Sequence, residues 1–180
     1  MTTNIVLTLE EFERLPEQEG AVHELNEGEL VVMTPGRPRH NRVRDNIAVA
    51  LRQFVRSKGL GDVFIETGFE LSKATVRIPD AAFVHAEKMK TLDLDQPWID
   101  GAPALAIEVV SPNDLAEELS AKIDQYREAG VSAVWVLYPK TREVHVFSRA
   151  GMARTIGEKE TLEDKDVVPG FSIPVSVLFE

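Results

Sequence analysis

The stretch ALAIEVVSP, residues 104 to 112, decides how this chain is read. Apart from Glu108, its first seven residues are all apolar, the signature of a strand buried within a sheet. A carboxylate in such a strand loses its water. Left unpaired, it costs at least several kcal/mol, on the order expected for any buried charge, unless it is protonated, paired or bound to a metal. Strand alternation turns Leu105, Ile107 and Val109 to one face and Ala104, Ala106, Glu108 and Val110 to the other. The small alanines leave room beside the carboxylate. A plainer account puts Glu108 at a sheet edge or against an arginine.

Two neighbours sharpen the question. In VRIPDAAFV (76–84), Pro79 removes a backbone donor, so Asp80 falls at a bend or strand edge, where it can point into a cleft or simply make a turn. After the Glu108 strand, Leu115, Leu119, Ile123 and Tyr126 form an apolar stripe at helical spacing, and Lys122 projects roughly 55° from its centre. Lys122 therefore leans toward the buried face. The competing accounts are an i,i+4 pair with Glu118, or a stem that snorkels to solvent. Two close carboxylates repel, which raises one pKa unless a cation intervenes. A hard divalent ion, Mg²⁺ or Mn²⁺ in its place, suits such carboxylates and keeps several waters. A lysine beside it orients water or stabilises charge on a phosphate. Asp80, Glu108 and Lys122 together make a plan for metal-assisted phosphodiester hydrolysis.

The rest of the chain supplies a frame for these residues. Thr8-Leu-Glu-Glu11 reads as a capping box opening a helix to about Leu15. Asn26-Glu27-Gly28 turns a β-hairpin between VHEL and ELVVM. Val43, Ile47, Leu51 and Phe54 mark an amphipathic helix over 40–58, closed by Gly59. DVFIETGFEL, VRIPDAAFV and ALAIEVVS read as three strands, with a surface loop over 86–103 that has room for a short helical turn. Ser111-Pro112 has the chemistry of a helix N-cap and N1, and Gly130 is placed to end that helix. AVWVLYP and EVHVFS form a second hairpin through Lys140-Thr-Arg142, and the tail reads as irregular with a last apolar segment. This order gives one domain over 1–180 of α/β (α+β) class, a mixed β-sheet flanked by helices.

Composition narrows the function. A hydrophobic fraction of 43% and a charged fraction of 28% are those of a globular protein with a core. No apolar run reaches membrane-spanning length, and MTTNIVLTLEEFERL lacks a secretory pattern, so the expectation is a cytoplasmic protein with no membrane partner. Without cysteine there are no disulfides or thiolate ligands, and His23, His40, His85 and His145 lack clustered zinc spacing. Neither a G-x-S-x-G elbow nor a Walker A motif is present. The net charge of −10 opposes indiscriminate nucleic-acid binding, but RPRHNRVRDN (37–46) is a basic island. It is either a phosphate-contacting patch or a solvated helix start.

Pro79-Asp80 followed by Glu108-Val-Val resembles the PD-(D/E)XK nuclease superfamily of restriction-endonuclease-like fold. More closely, the chain resembles a large bacterial family labelled putative restriction endonucleases. The matching segments are HELNEGELVVMTP (23–35), His40, VRIPD (76–80), PALAIEVVSP (103–112) and KIDQYREAGV (122–131). The superfamily's usual lysine position is Val110 here, and the lysine comes instead from the following helix, at Lys122. An aspartate common four residues earlier is Glu118 in this chain.

By position, the resemblance makes Asp80 and Glu108 metal ligands, Lys122 the catalytic lysine, and Glu24 the acid that completes the metal site. The plainer reading of Glu24 is an exposed hairpin carboxylate. His40, within the arc of its helix's apolar stripe, faces the same cleft or serves as a core or capping histidine. Arg37, Arg39, Arg42 and Arg44 are candidates for flanking phosphates, which position a substrate without reading its sequence. The expectation is a Mg²⁺-dependent nuclease acting on DNA, as a homodimer by analogy with the superfamily. Two other classes remain open: a non-catalytic binding or assembly protein on this fold, and a metal-dependent hydrolase of a small phosphorylated compound.

Overall fold

The computed structural model describes residues 6–16 and 21–180; the first five residues of the MTTNIVLTLEEFERL start lie outside them. Helix α1 (Leu9–Glu13) opens on the expected capping box, with Thr8 and Glu11 bonded reciprocally. The hairpin β1 (Val22–Asn26) and β2 (Glu29–Met33) follows, then α2 (Pro38–Ser57). Strands β3 (Gly61–Ile65), β4 (Phe69–Ser72), β5 (Thr75–Arg77) and β6 (Ala81–His85) lead to the short α3 (Ala86–Met89) and β7 (Ile99–Asp100). Next come β8 (Leu105–Val109), α4 (Ala116–Glu128), and the hairpin β9 (Ala133–Tyr138) and β10 (Glu143–Ser148). The chain closes with β11 (Ala153–Ile156), β12 (Thr161–Glu163), β13 (Ser172–Pro174) and α5 (Val175–Leu178). Among the described residues no helix is long and apolar enough to cross a membrane.

The strands form a six-stranded mixed sheet, β11-β10-β9-β8-β6-β3, a five-stranded one, β2-β1-β5-β4-β7, and the pair β12-β13. The α+β class holds, but the strands divide among several sheets where the sequence read one. The division follows from two breaks. Pro79 interrupts VRIPDAAFV, so β5 ends in the smaller sheet and β6 begins in the larger. Glu66, with φ of 47°, breaks DVFIETGFEL, and its N–H donates to the Asp80 carbonyl at 3.2 Å, tying the bends together.

In the larger sheet, β8 runs parallel to β9, with α4 as the connection between them. The alternation read from ALAIEVVSP is observed. Leu105, Ile107 and Val109 join Val43, Ile47, Leu51 and Val55 of α2 in the main core. Ala106 faces the other way, toward Ile123 and Tyr126 of α4. The smaller sheet covers the same face through Phe69 and Ile99 against Ala82 and Val84. Ile107 is fully buried at the centre. Ile107→Val is therefore expected to cost about 1 kcal/mol, read as a lower urea midpoint at unchanged slope.

Three other elements differ from the sequence reading. The helix after the Glu108 strand starts at Ala116, not Ser111: the Asp114 N–H bonds the Ser111 carbonyl at 3.1 Å and closes a turn first. Leu115 consequently leaves the apolar stripe and is 60% exposed. The loop over 86–103 holds the short helical turn read there, α3, but also a strand, β7. The tail is structured, with Leu162, Val168, Phe171, Val175 and Leu178 buried in the main core. Its apolar residues lie on short pieces of changing period, which leaves no pattern to read.

Candidate active site

Glu108 stands on the β8 face that meets α4, opposite two side chains one helical turn apart. Lys122 Nζ lies 3.0 Å from Glu108 Oε1, and the Tyr126 hydroxyl donates to the same oxygen at 2.6 Å. Lys122 also reaches Glu24 Oε1 of β1 at 3.0 Å, so its ammonium is held between two buried carboxylates. It turns to these acids, not to Glu118. Glu24 is 2% exposed, which rules out the exposed hairpin carboxylate. Its Oε2 accepts from Arg77 Nη1 at 2.8 Å, and its Oε1 from the Ile78 N–H at 2.7 Å. Gln125 links Arg77 to Asn26, joining β5 and β1 to α4.

Asp80 sits at the bend between the two sheets. Its Oδ2 accepts from the Val109 N–H at 2.6 Å, one residue beyond Glu108. Its Oδ1 meets His40 Nε2 at 2.8 Å, and His40 Nδ1 meets Ser111 Oγ at 3.1 Å. Pro38 opens α2 at its first position, which puts His40 in the first turn and over this bend. Glu24, His40, Asp80, Glu108, Ser111 and Lys122 all line one cleft of about 640 Å³.

The charges are strongly coupled. Burial pushes Glu108 up to about 7; Lys122 counters this, while Asp80 and Glu24 add to it. Burial also works against the Lys122 charge, but Glu108 and Glu24 outweigh it and keep the ammonium protonated well above its ordinary range. For Glu24, burial opposes ionisation, yet Lys122 and Arg77 hold its pKa below the usual carboxylate value. His40 is likewise raised, with Asp80 overcoming the effect of burial. Burial and then Glu108 push the Tyr126 hydroxyl up, so it stays a donor.

Lys122 and Glu24 thus remain charged, and Glu108 is the group poised near neutrality. That excess of negative charge is what a divalent cation relieves. Among the described residues no three His, Asp or Glu side chains converge as a ready metal cage. Asp80 and Glu108 nevertheless fit an ion such as Mg²⁺, which draws one or two carboxylates and retains its waters. Glu24 fits less well as a donor, because it pairs with two cations, Lys122 and Arg77, where Glu108 pairs with Lys122.

The basic island divides. Arg37 is exposed and lines the cleft. Arg44 is bound to Asp45 at 2.9 Å and to Glu66, so its guanidinium is committed to acids. Arg39 and Arg42 are exposed and lie outside the cleft lining. Asp114, Glu117 and Glu118 line the same cleft. Sequence reasoning missed Arg77, Ser111 and Tyr126. Arg77 stands two residues before Pro79, and Tyr126 stands one helical turn after Lys122, where its phenol was read as stripe alone.

The sequence profile of the Uma2 family, described as Putative restriction endonuclease, matches residues 9–176. A crystal structure of a putative nuclease belonging to DUF820 from Anabaena variabilis shares the fold with a TM-score of 0.84 at 18% identity, covering 96% of this chain and 97% of that one. No curated protein matches the sequence.

Proposed function

The chain belongs to the putative restriction endonuclease family, and from that premise we propose that its acidic cleft is a nuclease centre hydrolysing phosphodiester bonds of DNA with a divalent cation. The observation that carries this reading is a buried lysine clamped between two carboxylates, Glu24 and Glu108, with Asp80 lining the same cleft. Asp80 and Glu108 would hold Mg²⁺ or Mn²⁺, whose Lewis acidity toward phosphate oxygens is the chemistry the ion supplies when bound.

The chain's own groups do the rest. Lys122 stays protonated, so it donates hydrogen bonds to the attacking water and to charge developing on the phosphate, and does not serve as the proton acceptor. Glu24 acts through Lys122: with Arg77 and the Ile78 N–H it holds the ammonium in place and, in this reading, gives no donor to the ion. Tyr126 fixes Glu108 by donating to Oε1. Arg37 meets a phosphate at the cleft, and Arg39 and Arg42 meet flanking ones.

A specific observation favours a second reading. Asp114, Glu117 and Glu118 add acidic charge to the cleft lining, which repels a duplex backbone more than a small phosphorylated compound. The test is calorimetric titration of Mg²⁺ and Mn²⁺ into the wild type and an Asp80→Ala/Glu108→Ala double variant. The same samples are incubated with plasmid, single-stranded DNA and a chromogenic phosphodiester. Metal binding and DNA cleavage that both vanish in the variant support the nuclease. Cleavage of the small diester alone selects the second reading. Wild type that ignores both metals sinks both and leaves a non-catalytic protein.

A further inference from the structure

We propose that Ser111 and Gly36 are positioning residues that hold the His40 ring, in the Nε2–H form that Asp80 requires, and so fix the plane of the Asp80 carboxylate. The inference rests on the nuclease reading only for its consequence, since its geometry stands without it.

A carboxylate accepts and never donates, so the His40 nitrogen 2.8 Å from Asp80 Oδ1 must carry the proton. In the neutral ring that leaves Nδ1 as an acceptor, and a hydroxyl is the partner able to donate to it. Ser111 Oγ stands there at 3.1 Å. The hydroxyl is itself held. The Ser111 N–H donates to Asp114 Oδ2 at 2.8 Å, and the Asp114 N–H returns to the Ser111 carbonyl. The Ser-Pro-Asn-Asp turn that delays α4 is thus what aims Ser111 at His40.

Gly36 acts from the other side. A Cβ built on it would lie 2.5 Å from His40 Cδ2 and 2.5 Å from Asn41 Oδ1. The Gly36 carbonyl also accepts from Asn41 Nδ2 at 3.2 Å. A side chain at 36 would therefore have to push the imidazole or the Asn41 amide aside. With Oδ1 held by His40 and Oδ2 by the Val109 N–H, the Asp80 plane is fixed, and each oxygen keeps a lone pair for a ligand.

The test uses metal-free, ¹⁵N-labelled full-length protein at alkaline pH, where the ring is neutral. Long-range ¹H–¹⁵N spectra then read the His40 tautomer directly. The wild type is expected to show one Nε2–H species. Ser111→Thr should keep it and its Nδ1 signal, Ser111→Ala should shift the Nδ1 signal as that nitrogen loses its donor, and Gly36→Ala should shift the ring signals. Calorimetry should show Mg²⁺ affinity falling about tenfold in the Ala variants and staying near wild type in the Thr variant. A wild-type Nδ1 signal in Ser111→Ala overturns the proposal, as does unchanged metal affinity in both Ala variants. Because the spectra need neither metal nor substrate, a protein that cuts nothing leaves this result standing, whereas the nuclease reading fails on its own test.

Discussion

Replacing Lys122 with methionine is expected to lower DNA cleavage by about 10²–10³-fold, as for removal of a preorganised donor from a developing charge. The methionine keeps the length of the stem and removes only the ammonium. Divalent binding should survive or tighten, because that ammonium now sits 3.0 Å from Glu108 and competes for the same carboxylate. Single-turnover cleavage and calorimetry separate the two effects. Removing one member of a buried ion pair ordinarily costs about 3–5 kcal/mol. Here the loss should be smaller below neutral pH, since Glu24 keeps Arg77 and Glu108 can take up a proton. Undiminished cleavage by the methionine variant would remove Lys122 from the mechanism.

The pH dependence of stability gives the second large effect. In the metal-free protein, burial lifts Glu108 from 4.5 to about 7. Between those values the folded chain holds a proton that the unfolded chain has released. The stability tied to this proton is full below the unfolded pKa and is lost as pH rises through the folded one. The loss amounts to about 3 kcal/mol across the window. Glu108→Gln has no such proton, so it should gain on the wild type by that amount as pH climbs from about 4.5 past 7. Urea unfolding at a series of pH values reads the difference, and parallel profiles for the two proteins would refute the burial account. The same proton must leave when a cation binds, so Mg²⁺ affinity of the wild type should rise through neutral pH.

How much of this was legible in the sequence depended on whether a signal was local. The capping box at Thr8, the turn at Asn26-Glu27-Gly28 and the alternation around Glu108 are each written within a few residues, and each is observed. The lean of Lys122 toward the buried face needed only helical spacing, and its nitrogen does meet Glu24 and Glu108. The partners themselves were not legible, because Arg77 meets Glu24 across 53 positions and Ser111 meets His40 across 71. Spacing along a chain carries no information about such pairs. Ser111-Pro112 misled for a related reason: the same two residues open a helix or a turn, and Asp114, by capturing the Ser111 N–H, chose the turn.

The split at Pro79 has a consequence for the order in which this molecule becomes competent. Glu24 and Arg77 belong to the smaller sheet, Glu108 to the larger, and three residues, Ile78 to Asp80, join the strands that carry Arg77 and the start of β6. A chain with only its larger sheet assembled would own the acids for a cation but no Glu24 anchor for its lysine. In the nuclease reading, cutting therefore requires the smaller sheet to be docked on the larger, with Glu24 against Lys122.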